Sequence, residues 1–443
     1  MAGAWFDELA EFLRIPSISA DPDHAGDVVR AAEWVRDFIR HAGGEAEVVE
    51  WEGQPLAIGE LRASTGAETA PTVLCYGHFD VQPPDPLELW ESPPFEPEIR
   101  DGYLYGRGTV DDKGQLYMLL AAARELATAG ELAVNVRFCC DGEEETAGHS
   151  LIDYIAADER GADAAIIFDA GMIRPGVPAF DVATRGNIYY HVTLRTGERD
   201  LHSGLFGGAA LNAANALMQT LSAALARDGR LPDPVRAGVV PPTDEERAAW
   251  SELPSGAEEL TELGARPLDD RAADEFYLRT TAEPSFDVHG IETGSPKLQK
   301  TVIPVEAIAN VSLRVAPGQQ VEEIGGALER LLRDAAPPGA ELTLERWAAS
   351  PPGLVPPDSP AIQLAQDAFE RVVGRRPLLI RSGGTIPIVA AFSAKGIPAI
   401  ITGFGLPDSQ LHSPNERLRA EYVPLGIAAA RETLRELAAI RPV

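Results

Sequence analysis

The chain has 443 residues, with 38 Lys+Arg against 68 Asp+Glu and a formal net charge of −30. That balance argues against nucleic acid, whose phosphates need clustered Lys and Arg, and against a polybasic membrane contact. With 45% hydrophobic and 24% charged residues the composition is that of a folded globular protein with a solvated, repulsive surface, and the length favours two or three domains.

The first residues alternate acids with apolar residues at helical spacing. They show no basic n-region and no continuous apolar stretch, so no signal peptide is expected. No run approaches the roughly 18 apolar residues of a bilayer span. Helical spacing covers residues 5–14 and 26–42, the second with Trp34, Val35, Phe38 and Ile39 on one side. Short β-rich apolar runs then recur at 72–76, 132–139 and 164–168, with a Leu- and Ala-rich helical stretch at about 114–128 between the first two. Alternating strands and helices predict an α/β sheet, mostly parallel and buried on both faces. Cys75, Cys139 and Cys140 sit in or beside these runs and read as reduced core residues, which suits a cytoplasmic protein.

After Arg185 the character changes. Residues 187–194 alternate as a half-buried strand, a helix is predicted over about 209–226, and 228–285 is acidic and dotted with proline. Strand-like runs return at 301–303 and 307–314, followed by a helix at about 320–334. This reads as a separate α+β domain. The α/β pattern resumes with a helix near 360–373 and a strand at 398–402 led by a proline. The expected architecture is an α/β domain over 1–185 and 349–443, interrupted by an inserted α+β domain over 186–348.

Five acid- or histidine-bearing segments stand out. Gly-His-Phe-Asp (77–80) follows the strand ending at Tyr76, where ligands bind in open α/β sheets, and Asp80 can orient His78. Asp111 and Asp112 precede a predicted helix within Tyr-Gly-Arg-Gly-Thr-Val-Asp-Asp-Lys-Gly (105–114). The segment lacks the phosphate-loop spacing, and vicinal carboxylates suit a cation better. Cys-Asp-Gly-Glu-Glu-Glu (140–145) places carboxylates at a strand end, where one can hold a metal and its neighbour act as base. Phe-Asp-Ala-Gly adds Asp169, and Leu-His-Ser-Pro-Asn-Glu (411–416) adds His412. Singly, these read equally well as solvated turns or an N-cap. Together they would line one edge of one sheet with oxygen and imidazole ligands fit for Zn²⁺ or Mn²⁺, and for two ions if a carboxylate bridges them.

At these residues the chain resembles the co-catalytic metallopeptidases that include carnosine dipeptidase, aminoacylase, acetylornithine deacetylase and glutamate carboxypeptidase. Gly-His-Phe-Asp-Val-Gln-Pro (77–83), Gly-Arg-Gly-Thr-Val-Asp-Asp-Lys-Gly (106–114), Glu-Glu-Glu (143–145) and Leu-His-Ser-Pro-Asn-Glu (411–416) carry the resemblance. So do Asp-Leu-His-Ser-Gly-Leu-Phe-Gly-Gly (200–208), Lys-Thr-Val-Ile-Pro (300–304) and Ser-Gly-Gly-Thr-Ile-Pro (382–387). The form of 77–83 and the long 228–285 segment are most similar to the dipeptidase branch.

The resemblance implies two divalent ions per subunit, Zn²⁺ ahead of Mn²⁺. It implies Asp111 as their bridge, His78 and Asp169 completing one set, and Glu145 and His412 the other. Glu144 would be the general base and Asp80 would orient His78. The inserted domain would be a lid and dimerisation domain of a homodimer, with His202 reaching the partner subunit's site to stabilise the oxyanion. Arg314 matches a residue that binds the substrate carboxylate, and Ser382, Gly383, Gly384 and Thr385 match a loop at the same end of the substrate. After Glu145 the chain reads Thr-Ala-Gly-His-Ser where relatives commonly show an apolar residue and Gly-Ser, and the three-Glu run allows a second register shifted by one.

The implied activity is hydrolysis of dipeptides with a free C-terminal carboxylate. The alternative is removal of an N-acyl or N-carbamoyl group from an amino acid. A two-metal phosphoesterase would need cationic groups around the site, and few Lys or Arg lie in these motifs; a binding protein on the same fold should have lost Glu144. Lys113 is expected to pair with Asp111 or Asp112. The acidic runs at 244–246 and 258–259 are expected on a solvated face, and His24, His41, His149, His191 and His289 in surface or structural roles.

Overall fold

The computed structural model of the chain describes residues 3–51, 53–146 and 148–440. Its contacts divide it into two units. One runs to Val182 and resumes over Val355–Ile380 and from Ala391; the other is Ala183–Leu354 with Arg381–Ala390. The sequence places boundaries at 185/186 and 348/349, whereas this division lies at 182/183 and 354/355. Arg381–Ala390, which the sequence reading keeps with the α/β domain, groups with the inserted unit. The reason lies in its partners: the Arg381 guanidinium is paired with Glu246, and Gly383 O accepts from Arg185 Nε at 3.0 Å.

The first unit is built on a six-stranded sheet in the order Glu45–Glu50, Pro55–Leu61, Asn135–Asp141, Thr72–His78, Ala164–Phe168, Ala399–Thr402. The last four run parallel. Ala164–Phe168 is buried at every position, as parallel strands covered on both faces must be. The first two strands are antiparallel and were not among the predicted elements. Glu45–Glu50 is an edge strand whose acids alternate toward solvent, so its apolar signal is thin.

The helix Lys113–Ala129 is buried through its first eleven residues and stops at Gly130, whose φ of 71° suits glycine. Gly114 permits its start: a Cβ there would lie 1.9 Å from Thr109 O, so the turn carrying Asp111 can close directly onto the helix. The cysteines Cys75, Cys139 and Cys140 are free and buried, which fits their reading as core residues.

The second unit carries an antiparallel sheet in the order Ser285–Glu292, Glu306–Val315, Gly186–Arg195, Glu341–Ser350. Gly186–Arg195 alternates buried and half-buried residues as predicted. Its inward side chains Ile188, Tyr190, Val192 and Leu194 pack with Leu217, Leu221, Ile324, Leu328 and Leu332 of the helices Ala213–Ser222 and Val321–Ala335. The strands at 285–292 and 341–350 are edge strands with few buried side chains, which is why apolar periodicity does not announce them. Val302–Ile303 pairs not with this sheet but with Leu201–His202. One acidic run departs from expectation: Glu246 is buried, and a capping box with Thr243 orients it toward Arg381.

Candidate metal centre

Every parallel strand but the last delivers a candidate ligand, or the loop carrying one, just past its C-terminal end. His78 ends Thr72–His78 and is fully buried. Its backbone N–H donates to Asp112 Oδ2 at 3.1 Å. Its Nδ1 lies 3.2 Å from Asp80 Oδ1, which fixes the ring so that Nε2 faces Asp111 Oδ1 at 3.0 Å and Asp169 Oδ1 at 3.8 Å. Asp80 is itself held, its Oδ2 accepting from Ser19 Oγ at 2.6 Å and from the Glu145 N–H at 3.1 Å.

Asp111 faces both ways. Its second oxygen lies 2.9 Å from His412 Nε2, and that nitrogen is 3.2 Å from Glu145 Oε2. Gln82 Nε2 donates to the same Glu145 oxygen at 2.9 Å. Two donor groups result: His78, Asp111 and Asp169, and Asp111, Glu145 and His412. Within each, the ligand atoms lie within 4.8 Å of one another, and Asp111 is common to both.

The three consecutive glutamates separate by contact. Glu143 turns to the backbone, accepting from Ser150 N at 2.7 Å and Gln54 N at 3.3 Å. Glu145 faces His412. Glu144 lies between, and burial pushes its carboxyl up to about 8 against the pull of His78, with Asp169, Glu145 and Asp111 adding to the rise. Burial likewise raises Asp169, reinforced by the charges of Asp111 and Glu145. Burial would also raise Asp111, but hydrogen bonds from His412 and His78 hold it below the usual carboxylate range.

Carboxylates buried this close to one another are costly without a cation, and the imidazole and carboxylate donors match those of Zn²⁺ and Mn²⁺. The residues present fit a pair of divalent ions. Burial disfavours a charged His78, yet its hydrogen bonds to Asp111, Asp169 and Asp80 hold it well above the usual imidazole range. Hydrogen bonds to Asp111 and Glu145 raise His412 to about 10. While these imidazoles are protonated, a proton occupies the nitrogen a metal needs, so loading at pH 7 is expected to release protons and apparent affinity to rise with pH. Calorimetric titration of the metal-free chain in two buffers of different ionisation heat checks this; heats independent of buffer would contradict it.

The remaining expected residues lie in the second unit. Arg314 Nη1 donates to Thr385 Oγ1 at 3.0 Å, and Ser382 Oγ accepts from the Gly384 N–H at 3.1 Å. His202 is exposed, its Nδ1 accepting from the Gly204 N–H at 3.0 Å. Arg185, absent from the sequence expectations, clamps the same loop: its backbone N–H donates to Gly384 O and its Nε to Gly383 O, both at 3.0 Å. Burial and the neighbouring charge of Arg314 lower Arg185 to about 10. An arginine leading the alternating strand at 187–194 was the available signal.

Lys113 departs from expectation. Its Nζ donates to the Ile15 and Phe12 carbonyls at 2.6 and 3.2 Å rather than pairing with Asp111 or Asp112. His24, His191 and His289 bond to Asp27, Asn310 and Ser312.

The pattern of the peptidase family M20/M25/M40 matches residues 74–436. Cys-Gly metallodipeptidase DUG1 of Saccharomyces cerevisiae is 27% identical over 94% of this chain and 91% of its own length. Beta-Ala-His dipeptidase of Homo sapiens is 29% identical over 94% of this chain and 86% of its own. Among solved structures, an M20 family metallo-carboxypeptidase from Sulfolobus solfataricus superposes with a TM-score of 0.81 at 27% identity, covering 98% of this chain and 99% of that one.

Proposed function

The chain belongs to peptidase family M20/M25/M40, and from that premise we propose that it is a two-metal dipeptidase acting on short peptides with a free C-terminal carboxylate. It is a metallopeptidase-family hydrolase, and its relatives include Cys-Gly and Beta-Ala-His dipeptidases. The observation that carries the reading is Asp111, itself buried, shared between two donor groups, with Glu144 beside them.

His78, Asp111 and Asp169 would hold one ion, and Asp111, Glu145 and His412 the other, Zn²⁺ before Mn²⁺. Divalent ions there supply Lewis acidity, bringing the pKa of water toward about 7 and polarising a carbonyl. Glu144 would take a proton from the attacking water and deliver it to the leaving amine nitrogen. Asp80 keeps the His78 ring turned so that Nε2 stays on the ligand side. The exposed His202 is available to a partner subunit's site in a homodimer formed through the inserted domain, where it would donate to the developing oxyanion. The inserted unit would act as the lid. No helix among the described residues is long and apolar enough to cross a membrane, and the buried free thiols suit a cytoplasmic setting.

Arg314 offers a guanidinium fork for the substrate carboxylate, with Ser382, Gly383, Gly384 and Thr385 around it. Replacing Arg314 by Met is expected to raise KM for a dipeptide roughly 10- to 100-fold with little change in kcat, the worth of a charged hydrogen bond made equally in ground and transition states. Steady-state kinetics checks this; a fall in kcat at constant KM would assign Arg314 elsewhere.

The substrate class is tested by offering metal-loaded protein free dipeptides, longer peptides, and N-acyl and N-carbamoyl amino acids. Dipeptides are expected to be cleaved with the highest kcat/KM. Preference for the acylated or carbamoylated amino acids would replace the dipeptidase reading with the amidohydrolase one.

A further inference from the structure

We propose that Glu416 is a positioning residue of the metal centre: one buried carboxylate that ties the turn carrying Asp111 to the segment carrying His412. The inference rests on the reading of these two residues as metal ligands and assigns a role to a residue outside both donor groups.

Glu416 is fully buried and lies four residues after His412. Its Oε1 accepts from the backbone N–H of Val110 at 2.9 Å and of Asp111 itself at 3.2 Å. Its Oε2 accepts from the Gly108 N–H at 3.0 Å and from Arg107 Nη1 at 2.7 Å. Its carbonyl takes the Gly106 N–H at 3.1 Å. One residue thus receives hydrogen bonds from almost every position of the turn that ends at Asp111. Buried backbone donors require acceptors, and a carboxylate meeting three of them at once fixes the turn more tightly than separate partners could. Arg107, also buried, extends the tie by donating from Nη2 to Pro83 O at 3.3 Å, next to the Gln82 that holds Glu145.

The His412 side needs such an anchor. Gln410, His412 and Asn415 all have positive φ, at 59°, 56° and 63°, a region uncommon for non-glycine residues, so three within six positions call for support from the surroundings. Asn415 supplies one hold, accepting from Glu91 N and donating to Leu89 O, both at 2.9 Å. Glu416 supplies another, and unlike Asn415 it reaches the backbone of Asp111.

Glu416→Gln tests this. The amide keeps the shape but places an NH₂ donor against either the Val110 and Asp111 N–H groups or the Gly108 N–H and Arg107. Metal-free wild type and variant are titrated with Co²⁺, following both affinity and the d–d absorption of the bound ion. The expected result is a 10- to 100-fold loss of affinity, the range for partners that orient ligands, with an altered absorption envelope. Glu416→Asp, a methylene too short to meet all its donors, should fall between. Wild-type affinity and spectrum in Glu416→Gln would overturn the proposal, as would lowered thermal stability of the metal-free variant with unchanged cobalt binding. Should the variants fail to fold, hydrogen exchange in metal-free wild type decides: the amides of Gly108, Val110 and Asp111 are expected to be protected, and rapid exchange there would also overturn it. Failure of the wild type to bind Co²⁺ would count against the metal-centre reading itself.

Discussion

Glu144→Gln is expected to retain two metal ions per chain and to lose dipeptide turnover by roughly 10²- to 10⁴-fold, the range a positioned general acid–base supplies. The substitution removes the proton acceptor while preserving shape. Glu144 lies outside both donor groups, whereas its neighbour Glu145 faces His412 at 3.2 Å. In the metal-free chain burial raises Glu144 to about 8; the positive charge of bound ions would draw it back toward the carboxylate that a base requires. Metal content and kcat measured on the same preparation separate the possibilities. A variant that loses an ion along with activity would make Glu144 a ligand and shift the register of the glutamate run by one.

Asp111→Asn should have the wider effect, because Asp111 belongs to both groups. The amide removes the negative charge that draws both ions and presents an NH₂ to either His78 or His412, where an acceptor is needed. Loss of one or both ions after dialysis is expected, with kcat reduced about a thousandfold or more, since Lewis-acid stabilisation is worth several kcal/mol and about 4 kcal/mol corresponds to that factor. Asp169→Asn provides the contrast: it belongs to the His78 group alone and should weaken one ion while sparing the other. An Asp111→Asn chain that binds two ions as tightly as wild type would remove Asp111 from its shared position.

The parallel strands and the residues at their ends are the most legible part of the sequence. Fully buried strands such as Ala164–Phe168 are continuous apolar runs, and a charged residue directly after one, such as Asp169, has few places to go except the sheet's ligand-binding edge. Only the pattern of whole motifs links such segments, since nothing local in 411–416 says that His412 meets Asp111. The edge strands were illegible for a physical reason: Glu45–Glu50 and Ser285–Glu292 bury little and carry little periodicity. Residues whose roles depend on distant backbone were missed as well. Glu416 reads as an ordinary acid until its partners 305 to 309 positions earlier are in place. Arg185 likewise owes its role to carbonyls near 383, far along the chain. Glu246 belongs to an acidic run that composition assigns to solvent, and only its pairing with Arg381 explains its burial.

The most direct measurement is dipeptide hydrolysis by metal-free wild type as Zn²⁺ or Mn²⁺ is added in known equivalents. Activity should be absent at the start and should rise to a plateau at two ions per chain. Full activity without added metal, a plateau at one ion, or no dipeptide cleavage at saturating metal would contradict a two-metal dipeptidase centred on Asp111.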